Sequence, residues 1–227
     1  MTAPGHNSAA PERRDRTHPV ERLVFFTDAV VAIALTLLIL PLMESVSEAP
    51  EQGDTAVWLE HHFTQVLSFA MSFLLIAVFW LSHHRLFDPV ERATQRLLAL
   101  DFCWMFTIVV LPVVTALVGA MPTVDDAGHY DRLLVGLYVG TMFCNALLLY
   151  LMQVELNRHP RLLANGAQPN RVSEAVTLTL TILFGLAGLV AVLFPQVNLF
   201  AMFLLFLTEP LRKWVFARLN RPPAAES

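Results

Sequence analysis

Residues 23–43 read LVFFTDAVVAIALTLLILPLM, an apolar run whose only charged side chain is Asp28. A helix needs roughly 20 mostly apolar residues to cross a bilayer, so this stretch is long enough to span one. The whole chain agrees, because 56% of its 227 residues are hydrophobic, 15% are charged and the mean hydropathy is +0.56. A soluble domain carries nearer to about a quarter charged residues. The sequence therefore predicts an integral membrane protein.

Five more apolar windows follow the first, at residues 63–82, 97–120, 133–154, 175–194 and 197–217. The last window is the weakest, because its uninterrupted apolar part ends at Thr208, before Glu209 and Pro210. On length alone it fits a re-entrant or interfacial segment as well as a span. No cleavable signal peptide is visible, so the first span is predicted to be an uncleaved anchor. The predicted organisation is a disordered tail 1–18, a six-helix transmembrane domain 19–217 and a short tail 218–227.

The basic residues indicate the orientation of these spans. Of the 15 Lys and Arg residues, only Arg132 lies in a linker that follows an odd-numbered span. The others lie in the N-terminal tail, in the linkers after the second and fourth spans, and at the C-terminal end: Arg13, Arg14, Arg16, Arg22, Arg85, Arg92, Arg96, Arg158, Arg161, Arg171, Arg212, Lys213, Arg218 and Arg221. Cytoplasmic loops carry the excess of Lys and Arg. The predicted fold class is therefore an all-α membrane protein of six transmembrane helices with both termini in the cytoplasm.

Polar residues inside spans mark places where function is to be sought, since each costs a few kcal/mol near the bilayer centre. With this topology, six polar or aromatic residues of the first three spans fall at a similar depth near the cytoplasmic boundary: Arg22, Asp28, Trp80, His83, His84 and Asp101. They are predicted to form a polar network that joins three helices, with Asp28 accepting hydrogen bonds or pairing with a cation. The alternative is that each group reaches the headgroups separately.

The segment Arg22-Leu-Val-Phe-Phe26-Thr27-Asp28 resembles the signature R-x-x-x-F-S-D of the transmembrane protein 175 family of lysosomal and bacterial potassium channels. The stretch FWLSHHRLF at residues 79–87 is similar to the end of that family's second helix, and Pro112 falls where its third helix has a proline. Thr27 stands where serine is usual, which keeps the hydroxyl. Asp101 stands where the family leads us to expect asparagine, which adds a possible charge.

The resemblance implies a pore lined by the first helix of each of four subunits. It implies a constriction at Ile33 and a ring of hydroxyl groups at Thr36, and it implies that this single six-helix unit assembles as a homotetramer. The family lacks the re-entrant carbonyl filter of ordinary potassium channels, and no T-V-G-Y-G stretch occurs in this sequence.

Helix geometry tests which residues of the first span share a face. At about 100° per residue, Leu37 and Leu40 each lie within about 40° of Ile33, with Thr36 on the flank of that stripe. Asp28 lies about 140° from Ile33 and is predicted to face neighbouring helices. In the pore that the resemblance implies, Ile33, Leu37 and Leu40 are the predicted constriction or gate. Without the family motif, ordinary packing against other helices would be the preferred explanation of such a stripe.

The predicted function is a potassium-selective channel in the cell membrane, whose partners are K⁺ ions, lipid and its own copies. A secondary transporter or a proton or cation leak pathway of the same topology is the alternative. A secondary transporter is expected to have broken helices and polar groups near the midplane of the bilayer. The middle parts of the apolar windows in this sequence are nearly free of charged residues. No enzyme activity, nucleic-acid partner, cofactor or resident metal is predicted. The pairs His61-His62 and His83-His84 fall on opposite membrane faces and so cannot converge on a metal.

Overall fold

The computed structural model describes residues 19–46, 54–120, 132–164 and 167–193, and all of its regular elements there are helical. The elements are α1 (Pro19–Leu37), α2 (Leu40–Val46), α3 (Thr55–His61), α4 (Phe63–Phe87), α5 (Gln95–Ala120), α6 (Arg132–Arg158), a 3₁₀ turn (Pro160–Leu162) and α7 (Arg171–Leu193). Five stretches of the described residues are long and apolar enough to cross a membrane: Val20–Val46, Phe63–Phe87, Gln95–Ala120, Arg132–Arg158 and Arg171–Val190.

The predicted all-α membrane fold is confirmed for the described part of the chain, where the five stretches match the first five apolar windows. The sixth window at 197–217 and the tails 1–18 and 218–227 lie outside the described residues. The count of six helices, the location of the termini and the four-subunit pore therefore stay predictions.

The first span is not one uninterrupted helix, although residues 23–43 form one continuous apolar run. α1 ends at Leu37 and α2 begins at Leu40. Pro41 explains the interruption, because it has no N–H to donate and its ring collides with the carbonyl four residues earlier, that of Leu37. The chain makes a tight turn there instead, in which the Ile39 N–H donates to the Thr36 carbonyl at 3.3 Å. The count of 100° per residue therefore holds from Ile33 to Leu37 but cannot be carried through to Leu40.

α5 is the central helix of the described bundle. It packs against α1, α4 and α6, while α7 packs mainly on α6. Its inward side chains include Leu97, Trp104, Ile108 and Leu111, all fully buried. A side chain on the buried face of α5 can therefore contact side chains from three neighbouring helices.

Two linkers meet at one end of the bundle. Val90, after α4, forms an antiparallel bridge with Leu163, after α6. The pairing is extended by backbone bonds from the Glu91 N–H to the Leu162 carbonyl at 2.9 Å and from the Ala164 N–H to the Pro89 carbonyl at 2.9 Å. These two linkers are the second and fourth, which the basic residues assign to one side of the membrane. Their direct contact agrees with that assignment.

Candidate pore face and polar network

One face of α1 is packed and the opposite face is uncovered in the single subunit. Thr27, Val31, Ala34 and Leu38 point into the bundle and are almost fully buried. On the other side, Ile33 is 59% exposed, Leu37 40% and Leu40 51%. Thr36 is exposed as well. The predicted constriction and hydroxyl residues thus lie on the side of the first span that the described residues of a single chain leave open to lipid or to another subunit.

Thr36 presents its oxygen rather than its proton. Its hydroxyl donates to the Ile33 carbonyl at 2.7 Å, within the same helix turn. The hydrogen bond removes the cost of exposing a hydroxyl proton in an apolar setting and leaves lone pairs of the oxygen directed outward. This geometry suits an oxygen that replaces part of the hydration shell of a cation.

A buried carboxylate joins α1, α4 and α5 near the opposite end of the span. Asp101 is fully buried, and its Oδ1 lies 2.6 Å from His83 Nε2. Its Oδ2 accepts from the Thr27 hydroxyl at 3.1 Å, while that hydroxyl also lies 3.0 Å from the Leu23 carbonyl. Both oxygens of the carboxylate are thereby used, each by a different helix. This cluster of Thr27, His83 and Asp101 is called the carboxylate cluster below.

Aromatic rings surround the imidazole of His83. The ring stacks on Trp104, with centroids 4.3 Å apart, and on Phe87, with centroids 4.5 Å apart. Its second nitrogen, Nδ1, is buried without a hydrogen-bond partner among the residues that the structure describes. Asp101 is therefore the polar contact that holds this ring in place.

Asp28 makes a separate contact one residue further along α1. The indole N–H of Trp80 donates to its Oδ1 at 2.7 Å, and the carboxylate is half-buried. The ring of Trp80 lies beside that of His84, with centroids 5.6 Å apart. The structure thus gives Asp28 a hydrogen-bond donor from α4, and the carboxylate points away from the Ile33 face.

Three other predicted residues remain at the edge of this arrangement. Arg22 and His84 are exposed, and Phe26 is exposed with its ring tilted against Phe102 at a centroid distance of 6.3 Å. The structure therefore brings together five of the predicted signature and network residues in two adjacent contacts: Thr27, His83 and Asp101 in one, and Asp28 and Trp80 in the other. What each residue does stays a prediction.

Sequence reasoning missed two further polar contacts inside the bundle. The Trp104 indole donates to Asn145, whose amide donates to Thr107. Nearer the other end, Thr115 donates to Ser72, which lies 2.9 Å from the Tyr138 hydroxyl. The spacing of Thr115 gave a weak signal that it also points into the bundle. It follows Asp101 by fourteen residues, which places the two side chains within about 40° of each other around the helix. Asn145 and Thr107 lie inside apolar windows and belong to no charged group or motif that would single them out.

The Asp28 contact yields a first prediction. Asp28→Ala should lower the free energy of unfolding by about 1.5–3 kcal/mol, because it removes a hydrogen bond to a charged group and leaves the Trp80 N–H unpaired. Thermal unfolding and yield of the detergent-solubilised protein measure this loss. Asp28→Asn is the matched control, since its amide oxygen can still accept from Trp80. A folded Asp28→Ala protein with unchanged stability and altered ion preference would show that Asp28 faces the ions.

The chain is similar to known channel proteins. Residues 22–112 match the family model described as "TMEM175: Endosomal/lysosomal potassium channel TMEM175". A Streptomyces collinus protein named as a potassium channel is 28% identical over 157 residues, which cover 68% of this chain and 75% of that protein. A mouse protein named endosomal/lysosomal proton channel TMEM175 is 29% identical over 120 residues. That match covers 53% of this chain but only 24% of the mouse protein, so the chain spans about a quarter of this relative.

A solved structure shares the fold. The crystal structure of a lysosomal potassium-selective channel TMEM175 homolog from Chamaesiphon minutus superposes with a TM-score of 0.60 at 21% sequence identity. The alignment covers 89% of this chain and 98% of the other. α4 and most of α1 and α5 fall within the residues that the family model matches. These helices carry the uncovered face and the carboxylate cluster.

Proposed function

We propose that the chain is an ion channel of the TMEM175 family and that it conducts K⁺ through a pore lined by α1 of four identical subunits. It is a multi-pass protein of the cell membrane. The observation that carries the proposal is the uncovered face of α1, on which Ile33, Thr36 and Leu37 lie while the opposite face packs against α4 and α5. Four copies of this face around one axis would enclose an apolar passage with one ring of hydroxyl oxygens.

The selectivity of such a passage would come from dehydration. A ring of four isoleucine side chains offers no ligand, so an ion must keep its own water or lose part of it at a cost. K⁺ holds its water less tightly than Na⁺, and a barrier that requires partial dehydration therefore favours K⁺. The Thr36 oxygens would replace some of the lost water one turn further along. The selectivity expected from this mechanism is modest, because no site coordinates the ion closely.

Ion flux into liposomes tests the proposal. Purified protein in vesicles should dissipate a K⁺ gradient faster than a Na⁺ gradient, with no second substrate required. Transport that needs a coupled ion or solute would instead indicate the secondary transporter. Equal rates for K⁺ and Na⁺ would contradict the dehydration mechanism.

Proton conduction is a second candidate, because the mouse relative is named a proton channel. The buried pair of His83 and Asp101 also provides titratable groups next to α1. A pH-sensitive dye enclosed in the same vesicles distinguishes the two functions. Rapid acidification under a pH gradient with slow K⁺ flux would favour protons, and the reverse result would favour K⁺.

The second prediction concerns topology and follows from the distribution of the basic residues. A reporter that is active only in the cytoplasm should work when fused after Ser227 and fail when inserted near Gly53. The contact between the linkers at Val90 and Leu163 supports placing those two linkers on one side. Activity of the reporter at Gly53 would reverse the orientation.

A further inference from the structure

A group of hydrogen bonds holds the short helix α2, which follows the break in the first span. The Gln65 side chain of α4 bridges two groups of α2: its Nε2 donates to the Pro41 carbonyl at 2.9 Å, and its Oε1 accepts from the Ser45 hydroxyl at 2.6 Å. The Trp58 indole of α3 donates to the Ser45 carbonyl at 3.0 Å. We call Ser45, Trp58 and Gln65, together with the Pro41 carbonyl, the α2 clamp.

The clamp is backed by a third helix. Gly119, in the last turn of α5, lies so close to Gln65 that a Cβ atom there would come within 3.1 Å of the Gln65 Cγ. The glycine thus gives Gln65 the room to reach across to α2. The Trp58 ring is itself held by stacking on His62, with centroids 4.8 Å apart, and His62 Nδ1 lies 2.9 Å from the Trp58 carbonyl. Side chains from α3 and α4 therefore hold α2, and Gly119 of α5 leaves space for one of them.

The need for a clamp follows from the break at Leu38 and Ile39. A continuous helix would carry Leu40 rigidly with Ile33, but the turn before Pro41 interrupts the helical hydrogen bonds between them. α2 has no buried side chain of its own that could anchor it in a core. The polar contacts of the clamp therefore contribute to its position relative to α1.

We propose that Gln65 is a positioning residue that sets the width of the pore at Leu40, and that this part of the pore moves independently of Ile33. The proposal rests on the proposed function, because it requires Leu40 to face the pore. Leu40 directly precedes Pro41, so any displacement of α2 about the turn displaces it as well. Ile33 lies on the uninterrupted part of α1, whose other face is anchored by Val31 and Ala34, and it keeps its place.

Thiol modification measures this independence. In a background with Cys103 and Cys144 replaced by alanine, single cysteines are introduced as Leu40→Cys or Ile33→Cys, and a water-soluble thiol reagent is added to the channel in vesicles. Gln65→Leu removes both bonds of the side chain at nearly constant size. It should raise the modification rate at position 40 about tenfold. We expect this factor because losing the free energy of about one hydrogen bond shifts the equilibrium between the clamped and released positions of α2 by about that much. The rate at position 33 should not change.

The matched control is Thr64→Val, a change at the exposed position beside Gln65 that touches no clamp bond. It should leave both modification rates unchanged. If Gln65→Leu fails to fold, Ser45→Ala serves instead, because it removes one arm of the clamp and leaves the bond from Gln65 to Pro41. Ser45→Ala should change the rate at position 40 in the same direction by a smaller factor.

Three results would overturn the proposal. The first is an unchanged rate at position 40 in a folded Gln65→Leu channel. The second is an equal rise at positions 33 and 40, which would show general loosening of the bundle. The third is a loss of thermal stability with neither rate altered, which would give Gln65 a purely structural role.

The modification rates are read by mass spectrometry and so do not depend on current. They test the clamp even if the protein conducts another ion. Failure of the proposed function would show separately, as K⁺ current that does not respond when the reagent modifies Ile33→Cys.

Discussion

Asp101→Ala should abolish most of the folded protein, with a loss of about 3–5 kcal/mol in the free energy of unfolding. The substitution leaves His83 without its polar contact while both residues are at most 1% exposed. It also removes the acceptor of the Thr27 hydroxyl and opens a space between α1, α4 and α5. Membrane proteins have limited stability to lose, so low yield and a sharply lower unfolding temperature in detergent are the expected results.

Asp101→Asn is the control that separates shape from charge. An asparagine amide can turn its oxygen to accept from His83 Nε2 and its nitrogen to donate to the Thr27 oxygen. Thr27 can then donate to the Leu23 carbonyl, which already lies 3.0 Å away. Every contact of the carboxylate cluster is thereby kept, and asparagine is also the residue that the family resemblance leads us to expect at this position.

We therefore expect Asp101→Asn to fold nearly as well as the original protein. A loss as large as that of Asp101→Ala would show that the negative charge, rather than the hydrogen-bond geometry, holds the three helices together. Full stability of Asp101→Ala would contradict the importance of the cluster altogether.

Much of the architecture could be predicted from sequence because membrane insertion depends on local properties. Length and hydropathy located the five spans of the described residues, and no partner needs to be known for that. The topology gives the depth of each polar residue in the membrane. Sequence alone could therefore place four residues in one group at the cytoplasmic boundary: Asp28, Trp80, His83 and Asp101. A shared depth limits which side chains can meet across helices.

The pairing within that group could not be predicted, because it depends on how each helix is rotated about its axis. Asp28 meets Trp80 and Asp101 meets His83, but the opposite pairing is equally compatible with the sequence. The break before Pro41 could not be predicted either, because it also depends on contacts between helices. Transmembrane helices tolerate proline when neighbouring groups satisfy the freed backbone groups. Gln65, whose side-chain amide donates to the carbonyl of Pro41 itself, lies 24 residues from Pro41 along the chain.

Ile33→Asn should raise the current and weaken the preference for K⁺ over Na⁺. The amide would hold water in the narrowest ring and lower the dehydration step that distinguishes the two ions. A reduction of about 1.4 kcal/mol in that barrier corresponds to a tenfold rise in rate, which sets the order of the expected gain. Thr36→Ala should weaken the preference with less gain in current, because it removes oxygens without altering the apolar ring.

Ile182→Asn in α7 is the matched control for this change. Ile182 is 52% exposed in the single subunit, close to the 59% of Ile33, so the same substitution meets a comparable apolar surface. α7 packs mainly on α6 and does not contribute to the uncovered face of α1. If an amide anywhere on the apolar surface altered conduction, this variant would show it as well.

The reversal potential of Ile33→Asn channels in a planar bilayer, with K⁺ on one side and Na⁺ on the other, tests the central claim most directly. The pore proposed here predicts that the potential moves toward zero while the single-channel current rises, and that Ile182→Asn changes neither. An unchanged potential and current in Ile33→Asn channels would show that this face of α1 does not line the pore.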